Sequence, residues 1–446
     1  MKRKNSGDFM KNKCLYNTIT ATSCHNQRVL LRADLNVPIS GKSIDDDFRL
    51  QELRPTLDLL LGQHATIVLV THVGRPHKDT HTAPLSTTLI TEWLKEQGYR
   101  ALFAPTIAAA HEQIKHHPNT IIVLENIRTF PGEMAHDLAF AKELAQLGDC
   151  YVNDAFGTLH RDDASISLTP LFFAPEKRFI GLLISRELQA LAPLINAMND
   201  HDSELLDVHG HKAVSPKNQL HGATDHNALH PFVVILGGGK VADKLPLIEN
   251  LLDKADTILL CPAIVSTFMK ASGIDVGKSL VDDSQIDHCK ELIARAANTK
   301  TKLIFPTDLQ VATGSWNGPL SNKNIAQLTS NDVWTALGPV STKVYASEIA
   351  QAGTIFFNAA MGFPQRPETL VAAKILIEAI GASSAYGVIG GGHSVALANT
   401  CNRGTGIRHL STGGGATLTY LSGKPLPGLE ALCVLPISKR KDKISL

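Results

Sequence analysis

Short apolar, partly β-branched runs alternate along the chain with stretches in which leucines recur at helical spacing. In the first half, residues 29–32, 66–70, 121–124 and 150–152 read as strands buried on both faces. Between them, 50–62, 85–98 and 138–147 carry a helical period, and the first two close on glycine. From residue 231 the alternation resumes. Strands are predicted at 232–236, 257–260, 302–305, 354–358 and 386–389, with helices at 244–253, 266–272, 285–297, 341–351 and 368–380. Strand, helix, strand order implies right-handed crossovers and parallel sheets, so the expected class is α/β in two halves. A long helix over 181–199 lies between the halves as the natural linker. Residues 201–230 break all periodicity and hold His201, His209, His211, His221, His226 and His230 among Ser, Asn, Gly and Pro. Their spacing is irregular and no cysteine accompanies them, so a disordered surface insertion is expected over metal binding. Residues 1–24 are polar and lysine-bearing, and read as a flexible extension.

Polar groups cluster just after the predicted strands: Asp34 and Asn36, His72 and Arg75, Arg128, then Arg161, with Arg49 shortly after the first strand. In an open parallel sheet the carboxyl ends of the strands line one crevice, where ligands bind. Each arginine taken singly reads as a surface ion pair. Several at equivalent strand ends point instead to a small, strongly anionic ligand, because guanidinium forks match phosphate and carboxylate.

The second half is rich in glycine turns. Phe232-Val233-Val234-Ile235-Leu236 runs into Gly237-Gly238-Gly239-Lys240-Val241-Ala242-Asp243-Lys244, a strand, a tight turn and a helix start. Exposed backbone N–H groups there suit an anion, and glycine lets it approach. Lys240 and Lys244 are four apart, which puts both ammonium groups on one helical face. Gly390-Gly391-Gly392-His393-Ser394 and Ser411-Thr412-Gly413-Gly414-Gly415 repeat the arrangement, which suits a polyphosphate. Gly273-Ile274-Asp275-Val276-Gly277-Lys278-Ser279 imitates a Walker loop with one residue too few. No triplet completes a dinucleotide fingerprint.

Bulk properties narrow the choices. A chain of 446 residues suits two or three domains, and a net charge of +1 gives no global field for nucleic acid or a membrane. Any anion site must be local. No apolar run reaches a membrane span of about 18 residues. Cys14, Cys24, Cys150, Cys261, Cys289, Cys401 and Cys433 are scattered without a CxxC pair. That predicts reduced thiols, with neither a disulfide framework nor a zinc site.

Arg32-Ala33-Asp34-Leu35-Asn36-Val37-Pro38, His72-Val73-Gly74-Arg75-Pro76, Leu124-Glu125-Asn126-Ile127-Arg128, Asn153-Asp154-Ala155-Phe156-Gly157-Thr158-Leu159-His160-Arg161, Gly238-Gly239-Lys240-Val241-Ala242-Asp243-Lys244 and Ser411-Thr412-Gly413-Gly414-Gly415-Ala416 resemble phosphoglycerate kinase, in that family's order. The resemblance runs from about residue 28 to about 428. It implies two Rossmann-like, doubly wound parallel-sheet domains joined by a hinge helix. Their expected bounds are 25–180 for the substrate domain, 181–199 for the interdomain helix, 200–230 for the insertion and 231–420 for the nucleotide domain. Residues 421–446 would return to the first domain. It also implies reversible phosphoryl transfer between 1,3-bisphosphoglycerate and ADP, giving 3-phosphoglycerate and ATP, in glycolysis. A cytoplasmic monomer using Mg²⁺ with ATP or ADP is expected, with no nucleic-acid or membrane partner.

By the same resemblance, Asp34, Asn36, Arg49, His72, Arg75, Arg128 and Arg161 would hold the glycerate substrate. Arg49, Lys240, Lys244, Gly413 and Gly414 would act on the moving phosphoryl group. Asn358, Gln365, Gly391, Gly392, His393 and Ser394, with the two lysines, would hold the nucleotide. This half departs from the family pattern. His393 replaces a magnesium-associated aspartate, Gln365 a ribose-binding glutamate, Cys261-Pro262-Ala263 the glycines of the adenine pocket, and Ala336 another aspartate. Two readings follow: an active kinase, favoured by Arg49, Lys240, Lys244 and the Gly413 turn, or a weakly active derivative that binds phosphoglycerate or a protein partner.

Overall fold

The computed structural model describes residues 15–74, 85–199 and 226–434. Two compact units form. One runs up to Leu188 and takes the chain in again from Pro425; the other spans Gln189 to Lys424.

The first unit contains, in order, β1 (Asn17–Thr18), β2 (Arg28–Ala33), a small hairpin of β3 (Ile39–Ser40) and β4 (Ser43–Ile44), α1 (Phe48–Leu61), β5 (Thr66–Val70) and α2 (Thr88–Glu96). It continues with β6 (Ala101–Ala104), α3 (Ile107–His116), β7 (Ile121–Leu124), α4 (Pro131–Met134), α5 (Leu138–Ala145), β8 (Cys150–Asp154), β9 (Arg178–Ile180) and the start of α6 (Leu182–Ala197). One parallel sheet has the order β1-β9-β8-β2-β5-β7-β6. Val29, Leu31, Ile67, Leu69, Ile121, Val123 and Val152 fill one face and join a single apolar cluster with α1. Leu30, Val68, Ile122 and Tyr151 are buried on the other, as crossovers on both faces require. Succession reverses between β2 and β8, so the crevice of this sheet opens beyond their carboxyl ends.

The second unit comprises α7 (His226–Leu229), β10 (Phe232–Gly237), α8 (Val241–Leu251), β11 (Thr257–Leu260), α9 (Ile264–Ala271), α10 (Ile286–Ala296) and β12 (Lys302–Ile304). Then come β13 (Asp308–Thr313), β14 (Leu320–Asn324), β15 (Asp332–Leu337), α11 (Pro339–Ala350), β16 (Thr354–Ala359), α12 (Val371–Ala382), β17 (Tyr386–Gly390), α13 (Gly392–Ala398), β18 (Ile407–Ser411) and α14 (Gly415–Leu421). Its parallel sheet has the order β12-β11-β10-β16-β17-β18, which places the reversal between β10 and β16. The mixed α/β, doubly wound architecture is the one expected. Last comes α15 (Pro427–Leu432), which packs on a π-helical turn at Ala164–Leu168 of the first unit, with Gly428 N–H donating to Leu159 O at 3.0 Å.

Four expectations need correction. The supposed extension over 1–24 is ordered from Leu15 onward among the described residues: Asn17 and Thr18 pair with Phe179 and Ile180. Two residues of strand leave no periodicity to read. Residues 201–225 of the histidine-rich stretch lie outside the described residues, but 226–229 form α7 and His230 Nδ1 lies 2.6 Å from Asp256 Oδ2. The thiols are not all reduced: Cys433 is disulfide-bonded, whereas Cys24, Cys150, Cys261, Cys289 and Cys401 are free. Cys14 lies outside the described residues. Val434 N–H donates to Leu15 O at 3.0 Å, so distant parts of the chain meet here, which local cysteine spacing cannot reveal. Finally, β13, β14 and β15 form a separate antiparallel sheet where no strand was predicted.

Candidate active site

Asp34 follows β2, and its carboxylate pairs with Arg49 on the first turn of α1. Burial alone would raise this carboxyl, but Arg49, with His72 and Arg32 beyond it, outweighs burial and holds it below the usual range. His72 follows β5, is 2% exposed, and has Nδ1 3.9 Å from Asp34 Oδ1, with no hydrogen bond to that nitrogen among the described residues. Burial pushes the imidazole down to about 3; Asp34 opposes that, while Arg32, Arg161 and Arg49 add to it. A neutral imidazole therefore sits within the field of three guanidinium groups. Of the three, Arg49 and Arg161 belong to the set expected in this crevice, whereas Arg32 lies inside β2 and was not expected.

Backbone contacts hold Asn36 and Arg128. Asn36 Oδ1 accepts Gly74 N–H at 2.8 Å, and Thr71 Oγ1 accepts Leu35 N–H at 3.0 Å, so the loops after β2 and β5 are tied together. Arg128, after β7, is buried and donates from Nη1 to Gly74 O at 2.6 Å. Arg161 is partly exposed after β8, and among the described residues its guanidinium makes no hydrogen bond or ion pair. Arg75 lies outside the described residues.

Three contributors escaped the sequence reading. Asn126 is fully buried; its amide donates to Val73 O and Leu85 O at 2.7 Å each, and its carbonyl accepts Val73 N–H at 3.2 Å. It sets the distance between the His72 loop and Arg128. Thr71 does the same between β2 and β5. Arg32 is 1% exposed, and its Nε donates to Ser165 Oγ at 2.8 Å, which Glu133 Oε1 meets at 2.6 Å. Its signal was available: a charge inside an apolar strand must find partners.

In the other unit, Gly238 after β10 has φ +103, a conformation L side chains rarely adopt, and the turn leads into α8. Lys240, at the start of α8, is exposed. Lys244, one turn on, is 7% exposed and has no hydrogen-bond or ion-pair partner among the described residues. Burial lowers its ammonium pKa, Asp243 works against that, and Lys240 adds to it. A side chain at Gly238 would come within 3.7 Å of Lys244 Nζ, so the bare turn keeps the ammonium accessible. Asn358 stands at the end of β16, in register with Leu236 of β10, and is 7% exposed. Its amide likewise has no partner among the described residues. Two largely buried side chains whose polar ends have no partner among the described residues thus flank the reversal point between β10 and β16, where a ligand can supply one.

The other turns are less uniform. Gly391, with φ +93, opens α13, and Ser394 is buried beside the exposed Gly392 and His393. Gly414, with φ +50, opens α14, which packs on α8. Gly413 N–H is already engaged by Ser411 Oγ at 3.2 Å. Gln365 is exposed beside Arg366, whose guanidinium holds Trp316 O and Gly318 O. Lys278 of the Walker-like stretch is tied to Gly314 O at 2.9 Å and Asn331 Oδ1 at 2.8 Å, which settles its dismissal. Ala263 sits at φ +76 before α9, a left-handed conformation costly for a residue with a Cβ. Ala263→Gly is expected to raise stability by up to about 1 kcal/mol, after glycine's own entropic cost. A urea midpoint that stays put or falls would contradict this strain.

The phosphoglycerate kinase family profile matches residues 19–221 and 205–424. The chain is 33% identical over 423 residues to the phosphoglycerate kinase of Thermomicrobium roseum, covering 93% of this chain and 98% of that one. It is 35% identical over 429 residues to that of Streptomyces avermitilis, with the same coverage. Among solved structures, phosphoglycerate kinase from Coxiella burnetii matches with a TM-score of 0.72 at 29% identity, over 94% of this chain and 98% of that one. The Pyrococcus horikoshii enzyme matches with a TM-score of 0.76 at 26% identity, over 93% and 98%. No helix among the described residues is long and apolar enough to cross a membrane. With the family profile matched over most of its length and relatives 33% and 35% identical over 93% of it, the chain belongs to the phosphoglycerate kinase family.

Proposed function

We propose that the protein catalyses reversible phosphoryl transfer between 1,3-bisphosphoglycerate and ADP, giving 3-phosphoglycerate and ATP, as a cytoplasmic monomer. The observation that carries this reading is Lys244, a largely buried side chain beside the strand-reversal point of its sheet whose ammonium has no partner among the described residues. The arginine crevice of the first unit binds the glycerate. Asp34 and Asn36 lie on its hydroxyl and carboxylate side, and Arg49, His72, Arg75, Arg128 and Arg161 meet its anionic groups. Lys240, Lys244 and the Gly414 N–H neutralise the nucleotide phosphates and the moving phosphoryl, while Asn358, Gln365, Gly391, Gly392, His393 and Ser394 line the nucleotide end. In the direction of ATP use, a carboxylate oxygen attacks the γ-phosphorus as its bond to the ADP oxygen breaks. The attacking oxygen is already ionised, so no general base is required, and catalysis rests on position and charge neutralisation. Family membership across nearly the whole chain favours this over a derivative that only binds.

Magnesium fits the protein side poorly. Among the described residues no group of three His, Cys, Asp or Glu could hold a metal, and His393 offers a nitrogen where Mg²⁺ prefers oxygen. The ion would come bound to the nucleotide's own oxygens. The test is a coupled assay with 3-phosphoglycerate and Mg-ATP, in which turnover is expected. Absence of turnover, with calorimetric binding of 3-phosphoglycerate but none of Mg-ADP at millimolar concentration, would support the binding-only reading. His393→Asp is expected to raise kcat several-fold and lower the magnesium needed; an unchanged rate would show that this position does not limit metal use.

A further inference from the structure

Helix α1 does more than present Arg49. Arg49, Glu52 and Thr56 fall at spacings of three and four, and so share one face of the helix. Arg49 pairs with Asp34, Glu52 pairs with Arg186 of α6, and Thr56 Oγ1 donates to Asp154 Oδ2 at 2.5 Å. Thr56 Oγ1 also accepts Leu182 N–H at 3.2 Å, and Asp154 Oδ1 accepts Ile184 N–H at 3.0 Å. Two donors that the first turn of α6 leaves open are therefore met by one buried carboxylate and one buried hydroxyl. Asp154 ends β8 and lies in register with Ala33, the residue before Asp34. The preceding turn is fitted to this carboxylate: a side chain at Gly181 would put its Cβ 2.2 Å from Asp154 Cγ. Helix α6 leaves the first unit at Leu188 and continues into the second.

We propose that Asp154 and Thr56 are positioning residues which lock the start of α6 to α1, so that Arg49 and the helix leading into the second unit move as one body. This rests on the kinase reading above. An acceptor gripped by Arg49 would then set the position of α6, and a displacement of about 1 Å at the reacting atoms costs on the order of a hundredfold in rate. Burial lifts the Asp154 carboxyl to about 6, while Thr56, the α6 N–H groups and Arg186 favour its charged form, so the carboxylate is ionised at neutral pH.

The test uses the full-length chain as Asp154→Asn, Thr56→Val and Thr56→Ser. All three are expected to bind 3-phosphoglycerate within about twofold of the wild type by calorimetry. Asp154→Asn and Thr56→Val should lose kcat at least tenfold, and Thr56→Ser, which keeps the hydroxyl, should restore it to within about twofold. Unchanged kcat in the first two, or a loss of kcat matched by an equal loss of affinity, overturns the proposal. Hydrogen exchange separates this from failure of the kinase reading. Should the wild type bind 3-phosphoglycerate without turnover, the kinase reading falls. The lock is then read from exchange at Leu182, Leu183 and Ile184, which ligand slows in the wild type and not in Thr56→Val. Equal slowing in both would refute it.

Discussion

Lys244→Met is expected to cut phosphoryl transfer by roughly 10²–10³-fold while making the ligand-free protein more stable. Lys244 is buried in the first turns of α8, has no acceptor among the described residues, and has its pKa lowered chiefly by that burial. Methionine keeps the length and flexibility of the side chain and removes the desolvated charge. Replacing a buried ion pair with well-packed apolar groups is often neutral or stabilising by about 1–4 kcal/mol, and Lys244 has no ion-pair partner among the described residues to leave behind. Removing a fixed donor aimed at developing charge in a water-poor site costs about two to three orders of magnitude in rate. The opposite signs make the result diagnostic. Thermal unfolding and a coupled assay on the same preparation would read it. A variant that lost stability along with activity would show that Lys244 holds the fold together instead of waiting for phosphate.

Arg49→Met is expected to weaken 3-phosphoglycerate binding by about 10- to 150-fold, the equivalent of one charge-assisted contact of about 1.5–3 kcal/mol. It also leaves Asp34, largely buried, without its nearest cation. In the wild type the Asp34 carboxyl lies below its ordinary value, so its contribution is present above the unfolded pKa and is lost as pH falls through the folded one. Without Arg49, burial governs and the folded pKa rises. The carboxyl then favours folding only while protonated, and that contribution disappears as pH rises. The stability gap between wild type and variant is therefore expected to be widest near pH 7.5 and to narrow toward pH 4.5. Thermal melts across that range decide it, and a gap independent of pH would mean that the two groups do not interact in solution.

What could be read from sequence divides along physical lines. The strands at Thr66–Val70, Ile121–Leu124 and Thr257–Leu260 fall where they were expected, because a strand buried on both faces is written as an unbroken apolar run. β14 was invisible, since Leu320-Ser321-Asn322-Lys323-Asn324 is mostly polar and exposed. Its support comes from pairing with β13 and from Lys323, whose ammonium lies 2.8 Å from the buried Asp332 of the next strand. β6 and α3 were missed because Ala101-Leu102-Phe103-Ala104 is short and the helix buries only Ile107 and Ala110. Of the residues proposed to meet the substrate, most stood out as polar groups after strands. Asn126 and Thr71 did not, because their partners are backbone groups that sequence does not distinguish.

The closing helix α15 carries a consequence for biosynthesis. It is translated only after every residue of the second unit has been made, yet it lies on Leu159 and Ile166 of the first. Growing chains must wait with that apolar ledge bare while the later-encoded unit finishes. The first unit is thus begun earliest on the ribosome and completed last.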